Sequence, residues 1–292
     1  MMKKHAIFLL LAILVGGCQS TNPGSPEDRL ATLRCWHFRD QPSVTPEQIE
    51  YIRKRSRNGD LVCKTVLAHM HERGLGMPVD IAQARAIYQS IADVNESLYS
   101  ELGRLAEQGI GEPVDYVKAR RLYERAVVQP GNTLASIQLA RLLEEGKGGP
   151  QDRHRAMALY ASSIKLYQDT AWKSVQRLHA EGLALNAEQQ KRYNEAWANG
   201  ITKTITAKTL DVQKELSQSF KPDPSNNPIK LKLQFSQGSD APKVILLESS
   251  GNPSLDLATL ESMGNYRLPD EPIMTEGSQT WSATQYVHPP SR

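Results

Sequence analysis

The sequence predicts a multidomain chain: an all-α superhelical repeat solenoid, followed by a small α+β domain with an antiparallel sheet and one or two helices. Three observations predict it. A spaced pattern, G-x-G-x-P-x-D-x3-A-x3-Y, occurs three times between residues 74 and 160. Beyond a breaker cluster at 221–228 the apolar period changes from helical to alternating. The chain opens on a short apolar run that ends at a cysteine.

Lys3 and Lys4 precede an unbroken apolar run from Ala6 to Val15, and Gly16-Gly17-Cys18 follows. The run is too short for a permanent membrane span, which needs about 20 residues, and reads as a secretory signal over 1–17. Small residues directly before a cysteine resemble the bacterial lipobox, which implies acylation of Cys18 and removal of the leader. The alternative is an ordinary signal with an incidental cysteine. By resemblance to bacterial sorting rules, Gln19 after Cys18 implies the outer membrane, facing the periplasm. Residues 18–27 are polar and contain Pro and Gly, as a flexible tether does.

Pro26 to Phe38 forms a plausible helix carrying Cys35; Cys63 lies on the first helix of the first repeat. Two cysteines in an exported, oxidised chain predict a disulfide between them. Two buried free thiols are the alternative.

The repeats occupy about 60–95, 96–131 and 132–167 of a helical region at 28–200. The first copy has Gly74, Gly76, Pro78, Asp80, Ala84 and Tyr88; the second Gly109, Gly111, Pro113, Asp115, Ala119 and Tyr123; the third Gly146, Gly148, Pro150, Asp152, Ala156 and Tyr160. The copies are 35 (74 to 109) and 37 (109 to 146) residues apart. The first Gly supplies the left-handed residue that ends a helix. Pro prevents its continuation, and Asp caps the next helix. Ala and Tyr, four residues apart, share a face of that helix. Each copy is therefore helix, loop, helix, and must stack to bury its apolar face.

These residues, with Leu67-Ala68, Leu102-Gly103 and Leu139-Ala140 before the loops, resemble the Sel1-like repeat, a relative of the tetratricopeptide repeat. The resemblance implies an α-solenoid that holds other proteins and carries no catalytic residues. Gly149 departs from the pattern by replacing the apolar residue before Pro150, and Leu178 with Gly182 resembles a decayed capping unit.

Past Gly200 the repeat pattern stops; 201–228 reads as a helix over 208–220, supported by Leu210, Val212 and Leu216, and a linker. In 229–292, Ile229 to Phe235 alternates as a half-buried strand, and Val244 to Glu248 completes a hairpin. Ser254 is placed to cap a helix over 255–263 that turns Leu255, Leu257 and Leu260 towards the sheet, and 280–287 is a last strand. This order, with Leu231, Leu233, Phe235, Gly238, Val244, Ser249-Ser250-Gly251, Leu255, Asp256, Leu260 and Pro269, resembles the C-terminal domain of TonB and its relative TolA. That resemblance implies a sheet edge able to bind an extended peptide. The energised inner-membrane helix and long Pro-rich spacer of TonB are not in this sequence, which puts a transducer role in doubt.

Thirty-five basic and thirty-two acidic residues give +3, and without Lys3 and Lys4 the balance is +1. This is no footprint for nucleic acid. His69, His71 and Glu72 look like a metal cluster, but helical residues two apart point about 200° apart, which argues against a shared ion. Ser249-Ser250-Gly251 lacks the G-x-S-x-G elbow and any partner base, and the G-x-G pairs lack the lysine of a phosphate loop. Tyr88, Tyr123 and Tyr160 read as repeat core, with a groove lining as the alternative. The sequence thus predicts no enzyme, no cofactor and no metal. It predicts a scaffold that joins envelope proteins through its repeat surface and sheet edge and meets the membrane through its lipid. A TonB/TolA-like component, and a cell-wall binding protein or enzyme, are the alternatives.

Overall fold

The structure is a computed structural model and describes residues 26–41, 43–128, 132–236, 238–273 and 280–290. The leader, Cys18 and the greater part of the tether lie outside the described residues. The elements in order are α1 (Pro26–Arg39), α2 (Pro46–Arg57), α3 (Leu61–Arg73), α4 (Ile81–Ala92), α5 (Leu98–Gln108), α6 (Tyr116–Ala126), α7 (Thr133–Glu145), α8 (Arg153–Ser163), α9 (Thr170–Ala180) and α10 (Ala187–Ser219). Then come β1 (Ile229–Ser236), β2 (Lys243–Glu248), α11 (Pro253–Gly264) and β3 (Thr280–Val287). The described residues form two compact units, one ending at Ile87 and the other beginning at Tyr88, divided within α4.

In the first unit, Cys35, Ile52, Cys63, Val66 and Met70 are fully buried together, with Phe38 and Tyr51 packed beside them. Cys35 and Cys63 are joined by a disulfide that ties α1 to α3. Thr45 starts α2 through a reciprocal capping box with Gln48. Asp60 starts α3, its carboxylate accepting from the Val62 and Cys63 amides.

In the second unit, α5 packs against α6 and α7 against α8, with α6 beside α7, so consecutive helix hairpins stack. Leu102, Leu105, Leu139, Leu142 and Leu143 fill the space between them. The decayed unit around Leu178 and Gly182 is a helix pair, α9 and the start of α10, which packs on α8. Trp172 closes that end: it is fully buried, stacks on Tyr193 at 4.6 Å and donates its indole N–H to the Tyr193 carbonyl at 3.3 Å.

The second half of the unit corrects three expectations. The helix expected at 208–220 is the end of α10, one 33-residue helix that passes straight through Gly200. Its buried stripe of Ile201, Ile205, Thr209, Val212 and Leu216 continues the helical period, and packing overrides the weak helix preference of the Thr- and Ile-rich run. Gly200 is required there because a side chain would meet the Tyr167 ring at 2.2 Å. The cap of α11 is Asn252, not Ser254: the Asn252 side chain accepts from the Ser254 and Leu255 amides. Leu257 faces solvent, at 57% exposure, because the buried face of α11 runs through Leu255, Thr259 and Met263, and Leu257 lies on the opposite side.

The sheet has the order β2-β1-β3 and both pairings are antiparallel. Ile229, Leu231, Leu233 and Phe235 of β1 are buried, while Lys230, Lys232 and Gln234 alternate outward. β3 packs on α10, and α11 packs on both α10 and β2. Trp281 of β3 meets Trp197 of α10 edge-on at 4.7 Å. The small sheet is thus built onto the same helix that ends the stack.

Candidate functional site

The three loops share one backbone design. Gly74, Gly109 and Gly146 end α3, α5 and α7 in the left-handed conformation. The amide just after each of them returns to the last helical turn: Leu75 to Met70, Ile110 to Leu105 and Lys147 to Leu142, at 2.9–3.1 Å. The amides of Asp80, Asp115 and Asp152 reach the carbonyls of His71, Ala106 and Leu143 at 2.8–2.9 Å. Their carboxylates cap α4, α6 and α8 through the amides of Gln83, Lys118 and Arg155. One Asp thus closes the loop with its main chain and starts the next helix with its side chain. Gly148 answers a second need: a β-carbon there would fall 2.1 Å from the Tyr116 carbonyl oxygen, so this loop lies directly on the start of α6.

Ala84, Ala119 and Ala156 are fully buried, and Tyr88, Tyr123 and Tyr160 are at most 3% exposed. The tyrosines are repeat core and line no groove. Gly103 makes room for one of them: a β-carbon there would stand 2.8 Å from the Tyr123 ring.

Sequence reasoning missed what the tyrosine hydroxyls do. Tyr123 donates to Glu107 at 2.8 Å, and Tyr160 donates to Glu144 at 3.2 Å. Each glutamate also takes an arginine from the following helix pair: Glu107 takes Arg141, and Glu144 takes Arg177 at 2.7 Å. A Glu–Tyr–Arg ladder therefore runs from repeat to repeat, half inside the stack. Burial, reinforced for Tyr160 by Glu144, holds both phenols protonated far above their ordinary range. The signal was present in the sequence, since Glu72, Glu107 and Glu144 each stand two residues before the first Gly.

His69 is buried on α3, while His71 and Glu72 are partly exposed. The Ser249-Ser250-Gly251 turn is an anchor for Asp256. That carboxylate accepts from the Ser249 hydroxyl at 2.5 Å, the Ser250 amide at 2.9 Å and the Ser250 hydroxyl at 2.7 Å. Burial pushes Asp256 up, and these three bonds outweigh it and hold the carboxyl below its ordinary value. The motif joins β2 to α11 with its serine hydroxyls occupied.

Among the described residues β2 and β3 are the outer strands, each paired only with β1. On β2, Leu246 and Leu247 are exposed.

Comparison with known proteins agrees with the repeat geometry. The Sel1 repeat family model matches residues 65–95, 99–127 and 133–167, three consecutive segments of this chain. Such repeats are in general protein–protein interaction modules and are typically non-catalytic. No curated protein matches the chain. Among solved structures it is similar to c5321, a protective antigen of uropathogenic Escherichia coli that displays an SLR fold. That likeness is 22% identical with a TM-score of 0.47, over 66% of this chain and 41% of the other. It is also similar to a Sel1 repeat protein from Oxalobacter formigenes, 20% identical with a TM-score of 0.49, over 66% of this chain and 80% of the other. The chain thus spans well under two thirds of the length of c5321.

Proposed function

We propose that this chain is an outer-membrane-anchored, periplasm-facing lipoprotein that acts as a scaffold or adaptor in an envelope complex. The observation that carries the reading is the run of three sequence matches to the Sel1 repeat, of which the second and third stack and are joined, with the helix pair after them, by the Glu–Tyr–Arg ladder. A stack of this kind offers a long, pre-formed surface, which lowers the ordering cost of binding. The Cys35–Cys63 disulfide suits an oxidising compartment, and the lipobox-like Gly16-Gly17-Cys18 supplies the anchor. Crosslinking of the tagged full-length chain in intact cells, followed by mass spectrometry, tests the reading. Adducts with envelope proteins are expected, and their pattern should change when Cys18→Ala releases the chain from the membrane. Recovery of the chain alone, or of cytoplasmic proteins only, rejects it.

The small sheet supports a second reading, a TonB/TolA-like component of envelope transport. Its basis is the three-stranded antiparallel sheet with one packed helix and two outer strands open to an added strand. Deletion of 205–292 should then abolish an uptake or colicin-type phenotype; an unchanged phenotype removes this reading.

A further inference from the structure

The segment from Pro269 to Ile273 crosses from α11 onto the last helices of the stack, and it is held in an unusual way. None of its five residues is buried, although Tyr266 and Leu268 just before it are. It is held instead by six side chains of the α9–α10 region: Tyr167, Gln168, Gln176, Gln190, Asn194 and Trp197. Three of them donate to the Asp270 carboxylate: Tyr167 at 2.8 Å, Gln176 at 3.0 Å and Gln168 at 3.1 Å. The buried Trp197 indole donates to the Asp270 carbonyl at 2.8 Å. Asn194 pairs with the main chain of Ile273 on both sides, donating to its carbonyl at 2.8 Å and accepting from its amide at 3.0 Å. Gln190 donates to the same carbonyl at 2.9 Å.

This is recognition of one carboxylate and two main-chain units, the elements by which a protein surface reads an extended peptide. It is not the close apolar packing that ordinarily ties a segment to a core. The fit is also incomplete. A cavity of about 620 Å³ remains beside Glu271, Pro272 and Ile273, walled by His179, Leu185 and Tyr193 among others. Proline in the segment restricts its backbone, which lowers the cost of presenting it extended.

We infer that the α9–α10 surface is a peptide-binding site for an extended Asp-x-Pro-aliphatic segment of a partner protein, filled in the free chain by its own Asp270-Glu271-Pro272-Ile273. The inference rests on the reading of the stack as a protein-binding surface and gives that surface a ligand class. The internal segment competes as a tethered ligand at high effective concentration, so a partner gains the site only by displacing it. Displacement leaves the Trp197 indole and the Asn194 amide without partners unless the incoming peptide supplies them, which selects for the same chemistry.

The test uses the full chain and a fluorescent peptide of residues 266–273, acetylated and amidated at its ends, read by anisotropy. The Asp270→Ala chain, its internal segment loosened, is expected to bind the peptide at least tenfold more tightly than the unaltered chain. Alanine at the peptide's aspartate, or Asn194→Ala in the protein, is expected to reduce that binding at least tenfold. Absence of saturable binding to an Asp270→Ala chain with unaltered circular dichroism overturns the inference, and so does binding indifferent to the aspartate and to Asn194. Should Asp270→Ala not fold, hydrogen exchange on the unaltered chain decides: excess peptide must accelerate exchange at the Ile273 amide, the alanine peptide must not, and an unchanged rate overturns the inference. Crosslinking in cells can fail to find an envelope partner while this peptide binds, so the two readings fail separately.

Discussion

Gly148 and Gly182 both have positive φ, at 74° and 94°, yet only one has a neighbour in the way. A β-carbon at Gly182 meets nothing within 4 Å, whereas at Gly148 it meets the Tyr116 carbonyl. Gly182→Ala should therefore cost only the left-handed strain, about 1–2 kcal/mol. Gly148→Ala should cost clearly more, because backbone must move as well. Urea unfolding midpoints of the two variants check the order, and equal losses contradict the close approach of this loop to α6. Asp256 makes a second prediction at this scale. Its folded pKa lies below its ordinary 3.8. The unfolded chain therefore binds more protons in that window, and stability rises with pH there. The contribution is complete above about pH 4–5 and is lost as pH falls through the depressed folded value. Asp270 is lowered as well: burial opposes the shift, but hydrogen bonds from Gln176, Tyr167 and Gln168, and the charge of Lys173, prevail. Thermal unfolding between pH 6 and pH 2 should show a steep acid loss, flattened in Asp256→Asn. Single residues with a local backbone task were legible in the sequence for that reason: Gly109, Pro113 and Asp115 declare a loop and a cap without reference to anything distant. The partners of Glu107 and Glu144 were not legible, because a glutamate on a helix reads equally well as a solvated charge.

Between elements, the ladder and the disulfide carry the predictions. Glu107 bridges α5 to Arg141 of α7 while holding Tyr123 of α6. A double-mutant cycle on Glu107→Ala and Arg141→Ala should give a coupling of about 0.5–3 kcal/mol; additive losses would make the contact incidental. Serine at Cys35 and Cys63 opens a loop of sequence separation 28, which should lower the stability of the first unit by about 3 kcal/mol. Limited proteolysis should then cut α1 and α2 first and leave α5–α8 intact. Element boundaries were readable where turn chemistry marked them, as at both ends of β1. They were not readable in α10. The run from Ile201 to Thr209 has Thr and Ile in numbers that suit a strand as well as a helix, and only the stripe packed on α11 and β3 decides between them.

At the scale of the molecule, the change from helices to a small antiparallel sheet beyond residue 228 was foreseeable from the change in apolar period, whereas the sheet and the later repeats belong to one compact unit. Their junction was not foreseeable. The contacts that attach Asp270 and Ile273 to α9 and α10 join residues 73 to 103 positions apart in the sequence, through polar groups in a proline-rich stretch that alone suggests a surface loop. The attachment predicts that the sheet and the end of the stack melt together. Asn194→Ala combined with Gln176→Ala should lower the unfolding midpoint of the second unit and separate the Trp281 signal from that of Trp172; a single coincident transition in the variant contradicts this.

One helix of 33 residues serves both the end of the array and the sheet built on it. At about 1.5 Å per residue it runs roughly 50 Å without a break. It is a ruler: whatever packs on its two ends is held at a set distance along one continuous rod.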